Sequence, residues 1–465
     1  MIWSLSKFKD NIAVITESVS LTYGELDEQG KMMASVMPHH CLVFNFASNV
    51  LGAFFGYVSM LNNGIVQLVI SDTMDSELRQ ILINTYHPSY LWIPTEKIDE
   101  FGYPSVIYEK FGYSLVKTEL TPYPLAEDLA FLLTTSGSTG SPKLVRQTEI
   151  NIRSNAEALV EYLELTVSER PMANLPMNYT YCISTINSHL LVGATILLTN
   201  RSVLEKEFWD FFKKEGATSF SGVPYTYEML RKMRFKDMDL PSLRYFTQGG
   251  GKLIPKHQIE FAEYAEKTGR RFIIRYGQTE ATSAVSYVPH QKIAEKIGSI
   301  GIPIPGGELM LLDADGNQIT EPGVSGRLIY KGPNVTLGYA ICGEDLSKPD
   351  ERHGVLETGD LATMDADGYF YLVSREKRFL KIFGCRVSMD ECETLIKTEF
   401  DIPCACVGQD DAMEIYITDE NLKKPVGKFI AEKTGLNPVG FKVRYIPDIP
   451  RNDAGKTLYS ALNNK

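Results

Sequence analysis

Residues 131–145 read FLLTTSGSTGSPKLV, an apolar run that stops abruptly in a stretch of hydroxyl and glycine residues closed by Pro142 and Lys143. No other feature constrains the fold as strongly. A strand this apolar belongs inside a sheet covered on both faces. The glycines Gly137 and Gly140 let successive backbone N–H groups turn toward one point. Thr135, Ser136, Ser138 and Thr139 add hydroxyl donors, and Lys143 adds a positive charge. Together these groups form the surroundings of a bound phosphate. The G-x-x-x-x-G-K-[ST] spacing of a Walker loop is absent, and a flexible linker would not follow a buried strand and end in Pro-Lys.

The flanking sequence supplies the sheet. Cys41–Phe46, Ile65–Ile70 and Tyr90–Ile93 read as strands, Val50–Leu61 as a buried helix and Asp75–Thr85 as an amphipathic one. Such alternation builds parallel sheet covered by helices. It resumes after the loop with helices at Ile152–Leu163, Ile183–Leu191 and Leu204–Glu215 and strands at Ala194–Leu198 and Ser219–Ser221. From about Gly298 glycine and proline become frequent, and Leu309–Leu312 and Gly326–Tyr330 read as antiparallel β structure. Gly368–Val373, hairpin-like, leads into the charged stretch Ser374–Lys381. The expected architecture is α/β: a large N-terminal domain of mixed α/β sheets plus a β subdomain (1–376), and a small mobile α+β C-terminal domain (377–465). A chain of 465 residues accommodates both.

A formal charge of −11 argues against nucleic-acid partners, whose binding depends on Lys and Arg neutralising phosphates. Seven cysteines without a C-x-x-C pair read as reduced thiols rather than a zinc site or a disulfide framework. The N-terminus carries no apolar leader, and Leu51–Leu61 is too short to span a bilayer. The expectation is a cytoplasmic protein with no membrane contact.

Five further segments carry polar or glycine residues where a nucleotide site needs them. They are Gly249-Gly250-Gly251 after Leu243–Thr247, Tyr276-Gly277-Gln278-Thr279-Glu280, Thr358-Gly359-Asp360, Arg375, and Pro450-Arg451-Asn452-Asp453-Ala454-Gly455-Lys456. Each is weak alone. In this order, with the loop at 135–143, the set resembles the motifs of the adenylate-forming superfamily: acyl- and aryl-CoA synthetases, peptide-synthetase adenylation domains and luciferases.

The resemblance implies roles. The Gly249–Gly251 backbone and the Tyr276 ring would lie against adenine, with Gly277 in the same turn. Thr279 would contact the phosphates and Glu280 would hold Mg²⁺. Asp360 and Arg375 would bind the ribose, and Lys456 would serve adenylation. ATP and Mg²⁺ are then the cofactors, with coenzyme A or phosphopantetheine as acyl acceptor and a separate acyl carrier protein as a possible partner. A carboxylate attacking the α-phosphorus of ATP requires positive charge and alignment rather than an acid–base dyad. The hinge residue would be Lys377, with Lys381 and Gly384 serving the thiol step after the C-terminal domain rotates. Leu144, Ser374 and Glu149 depart from the superfamily's usual Gly, Gly and His.

Leu175–Leu198 corresponds to the acid-pocket motif, with Asn178, Tyr179 and Gly222 as pocket residues. A neutral amide at 178 cannot offset a buried ammonium, which disfavours an α-amino acid. An Asn-Tyr pair resembles aryl-acid activators, so the small carboxylic acid substrate is expected to be an aryl or hydroxyaryl acid. A fatty-acyl ligase, a stand-alone amino-acid adenylation enzyme and a degenerate nucleotide-binding protein are the alternatives.

Overall fold

The computed structural model describes residues 2–134, 143–375 and 378–463. Thr135, Ser136, Gly137, Ser138, Thr139, Gly140 and Lys377 lie outside them. The expected α/β architecture is present, with a larger N-terminal and a smaller C-terminal domain.

The strand that begins the loop motif, Leu129–Thr134, sits inside an eight-stranded sheet. It pairs in parallel with Val66–Ser71, which pairs with Leu42–Ala47, which in turn pairs with Tyr90–Pro94. Every residue of Leu42–Ala47 is buried, as expected of a strand covered on both faces. The helix Ser76–Tyr86 starts where Asp75 accepts hydrogen bonds from the N–H groups of Glu77 and Leu78, satisfying two otherwise orphaned donors. On its other side Leu129–Thr134 runs antiparallel to Leu144–Thr148.

The edge next to Leu144–Thr148 is closed by Gly338–Ala340, a strand from much later in the chain. Arg146, wholly buried there, donates to the carbonyls of Leu337 and Pro349 and pairs with Glu351 at 2.6 Å. The hairpin Val106–Lys110 and Tyr113–Lys117 forms the opposite edge; its outer strand is largely exposed, Val106 and Ile107 included.

A second sheet carries the remaining N-terminal motifs. Its order is Ser219–Gly222, Tyr245–Gln248, Arg271–Gly277, Ala284–Val288, Ile302–Pro303, with the first three strands parallel. Helix Lys206–Lys214 places Phe208, Phe211 and Phe212 on one face, the i, i+3, i+4 spacing of an amphipathic helix. With Phe220, Phe246 and Phe272 they fill one contiguous core, each buried ring contributing roughly 1.5–3 kcal/mol. The β subdomain is a five-stranded sheet in which every pairing is antiparallel, as expected.

The chain beyond Arg378 builds its own cores. Leu380, Ile396, Ile415, Val426 and Phe441 belong to one, and Tyr416, Ile449 and Leu462 to another. Among the described residues, no helix is long and apolar enough to cross a membrane.

Candidate active site

The candidate site lies where the three parallel strands of the second sheet end, the position at which open α/β sheets take their ligands. Gly222 closes the first strand, and its carbonyl accepts from the N–H of Gly249 at 3.1 Å. Gly250 has a φ of +77°, and a Cβ there would sit 2.3 Å from the Tyr179 hydroxyl. Any side chain would expel the tyrosine, so the glycine is fixed both by conformation and by close approach. The Gln248 side chain pins the turn by donating to Gly251 O at 2.8 Å.

The third strand delivers Tyr276 and Gly277. The Tyr276 hydroxyl donates to Asp360 at 2.5 Å, and the Gln278 amide donates to the same carboxylate oxygen at 3.1 Å and to Thr358 O at 2.9 Å. Asp360 is buried, and burial raises its carboxyl above the usual range, opposed by the Tyr276 hydrogen bond and by Arg375. Arg375 is exposed, with its Nε 3.8 Å from the other oxygen of Asp360. The sequence reading omitted Gln278, although it stands inside the quoted motif.

Thr279 and Glu280 begin a short 3₁₀ turn. At Thr282 the backbone reaches φ +64°, ψ −56°, and the Ser283 N–H bonds back to Ala281 O at 2.6 Å. This is a positive-φ γ-turn on a β-branched residue, a strained conformation that persists only when its surroundings enforce it. The enforcing groups are visible: Thr282 donates to Asn334 O at 2.8 Å, and the Thr180 hydroxyl donates to Thr282 O. The turn pushes the Ser283 carbonyl against Gly277, where a Cβ would fall 1.8 Å from it.

Glu280 accepts a hydrogen bond from Tyr339 at 2.7 Å. The Tyr339 ring carries Lys143 Nζ 3.2 Å from its centroid and the Arg352 guanidinium at 4.6 Å. Arg352 also donates to Glu280 O at 3.0 Å. Neither Tyr339 nor Arg352 has a sequence signal; the late strand Gly338–Ala340 brings them beside Lys143. The carboxylate of Glu280 is the kind of oxygen ligand a hard cation takes.

Lys456 arrives from the C-terminal domain. Asn452 to Lys456 form a tight turn closed by Asn452 N–H to Lys456 O and Lys456 N–H to the Asn452 side chain, both at 2.9 Å, with Gly455 at φ +75°. Arg451 lies 4.3 Å from the Tyr225 ring centroid, and Lys456 Nζ lies 4.6 Å from that of Tyr179. Burial, with Arg375 adding to it, lowers the Lys456 ammonium to about 8, while Glu280 pulls the other way. A half-buried ammonium with Arg375 as a like-charged neighbour suits an anionic ligand.

The structure thus brings Gly222, Gly249–Gly251, Tyr276–Glu280, Asp360, Arg375, Tyr179 and Lys456 to one site, with Asn178 half-buried in the turn before helix Thr180–Leu191. Lys381 and Gly384 stand apart, exposed on the hairpin Phe379–Ser388, whose Leu380, Ile382 and Val387 are buried in the C-terminal core; Lys381 N–H donates to Asp410.

Fold and site together define an α/β scaffold whose smaller C-terminal domain brings a lysine to the strand ends of the larger one. The chain belongs to the AMP-binding enzyme family, which residues 2–340 match. It is 30% identical over 391 residues to a long-chain-fatty-acid–CoA ligase of Escherichia coli, covering 79% of this chain and 66% of that protein. It is also 30% identical over 278 residues to a feruloyl-CoA synthase of an Amycolatopsis species, covering 57% of this chain and 53% of the relative. The chain therefore matches somewhat less than two thirds of the length of these relatives. Its fold is similar to that of the o-succinylbenzoate-CoA synthetase of Bacillus subtilis bound to its acyl-adenylate, with a TM-score of 0.79 at 20% identity over 98% of this chain and 96% of that one. A benzoate-CoA ligase of Burkholderia xenovorans superposes with a TM-score of 0.78 at 19% identity, over 98% and 97%.

Proposed function

We propose that this chain is an ATP-dependent acid–thiol ligase. A substrate carboxylate oxygen bonds to the α-phosphorus of ATP and pyrophosphate leaves. A thiol sulfur then attacks the acyl carbon of the acyl-AMP and AMP leaves. The observation that carries this reading is Lys456, delivered by the C-terminal turn onto Tyr179 and within the electrostatic reach of Glu280. Charge on the α-phosphate grows as the carboxylate approaches, and a pre-positioned ammonium stabilises it. Mg²⁺ bound through Glu280 would neutralise phosphate charge. Asp360, oriented by Tyr276 and Gln278, would accept from the ribose hydroxyls, and the Gly249–Gly251 turn leaves the backbone bare for adenine.

The acceptor in this reading is coenzyme A or a carrier-protein pantetheine. After adenylation the domain beyond Lys377 would rotate, withdrawing Lys456 and bringing Lys381 and Gly384 to the thiol. An aryl or hydroxyaryl acid is the favoured substrate: Tyr179 offers a flat wall and Asn178 a neutral hydrogen-bonding amide, and the feruloyl-CoA synthase similarity points the same way. The similarity to fatty-acid ligases supports a second reading, a fatty acid in the same pocket.

Pyrophosphate release with ATP and Mg²⁺, without thiol, across aryl, fatty and amino acids tests the proposal. Release confined to aryl acids is expected. Release only with fatty acids would move the substrate class, and silence with every acid would remove the ligase reading.

A further inference from the structure

The face that the C-terminal domain turns to the larger one carries charges that the adenylation chemistry does not consume. Helix Met389–Phe400 is capped by Asp401, exposed and left-handed at φ +53°. Its Oδ1 lies 3.6 Å from an Nη of Arg231 and from His257 Nε2, and its Oδ2 lies 3.7 Å from Lys256 Nζ. These three partners belong to the N-terminal domain, on helices Pro224–Lys232 and Pro255–Thr268. Arg231 donates to His257 Nε2 at 2.6 Å, which leaves the ring neutral with its proton on Nδ1. Glu260 is shared by Arg231 at 2.6 Å and Lys236 at 2.9 Å. Three cations of the larger domain therefore meet one carboxylate of their own in this cluster, and Asp401 supplies another from across the interface.

The neighbouring charges fix a register. Lys397, one turn before Asp401, is within the electrostatic reach of Glu228, one turn before Arg231. At the other end of the helix Asp390 and Glu391 are within that of Lys252. Asp390, Lys397 and Asp401 stand at i, i+7 and i+11, one stripe of a helix. A slip by one turn in one direction would set Lys397 against Arg231, and in the other Asp401 against Glu228, like against like. Exposed ion pairs add little to folding stability, but this arrangement discriminates between ways of seating one domain on the other.

That seating is coupled to Lys456. Arg378 pairs with Asp390 and Glu393 of the same helix, each at 2.6 Å, and its guanidinium lies 3.9 Å from the ring centroid of Tyr459. The Tyr459 hydroxyl donates to Glu393 at 3.0 Å. Tyr459 stands one helical turn's worth of chain beyond Lys456, so the helix that ends in Asp401 and the turn that carries Lys456 are held in one body. Where Asp401 is seated, Lys456 is placed.

We propose that Asp401 is a positioning residue for adenylation: its carboxylate, held by Arg231 and Lys256, seats the C-terminal domain so that Lys456 reaches the site, and thiol transfer requires that contact to break. The proposal rests on the two-step ligase reading and adds to it the residue that sets the balance between the steps.

The test uses Asp401→Asn, which removes the charge and keeps a residue that tolerates the left-handed cap, and Lys256→Gln, which removes a partner from the opposite side. Pyrophosphate release is measured with the acid that gives most of it, and acyl transfer to coenzyme A with the prepared acyl-AMP of that acid. Each variant should lower adenylation kcat/KM by about three- to fivefold at low salt and leave acyl transfer unchanged or faster. The difference from wild type should shrink toward nothing near about 0.5 M salt. The double variant should lose less than the product of the two single losses. Amide hydrogen exchange, read without substrates, should rise in residues 255–268 and 389–401 of both single variants and stay as in wild type in 441–445. Equal loss of both half-reactions would overturn the proposal and make Asp401 merely structural, as would wild-type rates and exchange in both variants. Raised exchange at the two helices, in a protein whose wild type releases no pyrophosphate with any acid, would sustain the Asp401 contact and defeat the ligase reading instead. Wild-type release with unaltered exchange and rates in the variants would do the reverse.

Discussion

Lys456 Nζ lies 4.6 Å from the ring centroid of Tyr179, the ammonium coming from the C-terminal domain and the ring from the N-terminal one. This contact joins the turn that carries the lysine to the pocket that would hold the acid. If the lysine serves only the first half-reaction, the two steps separate. Lys456→Ala should lower pyrophosphate release by roughly 100- to 1000-fold, while acyl transfer from supplied acyl-AMP to thiol continues near the wild-type rate. Single-turnover assays of each step decide it, and equal loss of both would contradict the assignment.

The same side chain sets a pH dependence. Lys456 is held down to about 8, chiefly by burial, and kcat/KM reports the ionisation of the free enzyme. Adenylation kcat/KM should therefore fall as pH rises through about 8, as the ammonium loses its proton. Lys456→Arg keeps its charge, so its alkaline limb should disappear; a limb that survives belongs to another group. For stability the sign is opposite. Between about 8 and the ordinary 10.5 the unfolded chain binds more protons at this residue than the folded one, so its contribution to stability rises with pH across that window.

Tyr339→Phe removes the hydrogen bond to Glu280 and keeps the ring that meets Lys143 and Arg352. The Mg²⁺ concentration for half-maximal activity should rise by about tenfold, the usual size of losing a group that orients a metal ligand. An unchanged Mg²⁺ titration would separate Glu280 from the metal or Tyr339 from Glu280.

Gly277→Ala drives a methyl into Ser283 O. The γ-turn at Thr282 leaves that carbonyl no room to retreat, so a loss of more than about 2 kcal/mol is expected. Calorimetry showing a melting temperature within a degree of wild type would mean the turn relaxes freely.

Asn178→Asp places a charge in the turn beside Tyr179. It should lower kcat/KM for hydroxyaryl acids by at least about tenfold and leave the KM for ATP unchanged. An unaltered acid profile would remove Asn178 from recognition.

Much of this was legible in the sequence wherever a segment is buried on both sides. Leu42–Ala47 and Val66–Ser71 are nearly continuous apolar runs, and the loop after Leu129–Thr134 announces itself by composition. The hairpin Val106–Lys117 was missed because its outer strand is largely exposed. Helix Glu149–Leu163 begins three residues before the apolar pattern does, because Thr148 and Asn151 cap it reciprocally. Motif residues were found because a nucleotide site demands particular types at fixed spacing. Tyr339 and Arg352 were not, since their importance comes from packing between distant segments.

The strand Gly338–Ala340 also orders events in time. Arg146 is translated with the early part of the first sheet, but the carbonyls and carboxylate that satisfy it lie at Leu337, Pro349 and Glu351. Until the ribosome has extruded those residues, the sheet carries an open edge and a buried-site guanidinium with no counter-ion. Contacts of such long sequence separation form slowly, and open edges invite pairing with other chains. The edge of the first sheet is therefore completed only when residue 351 is available to seal it.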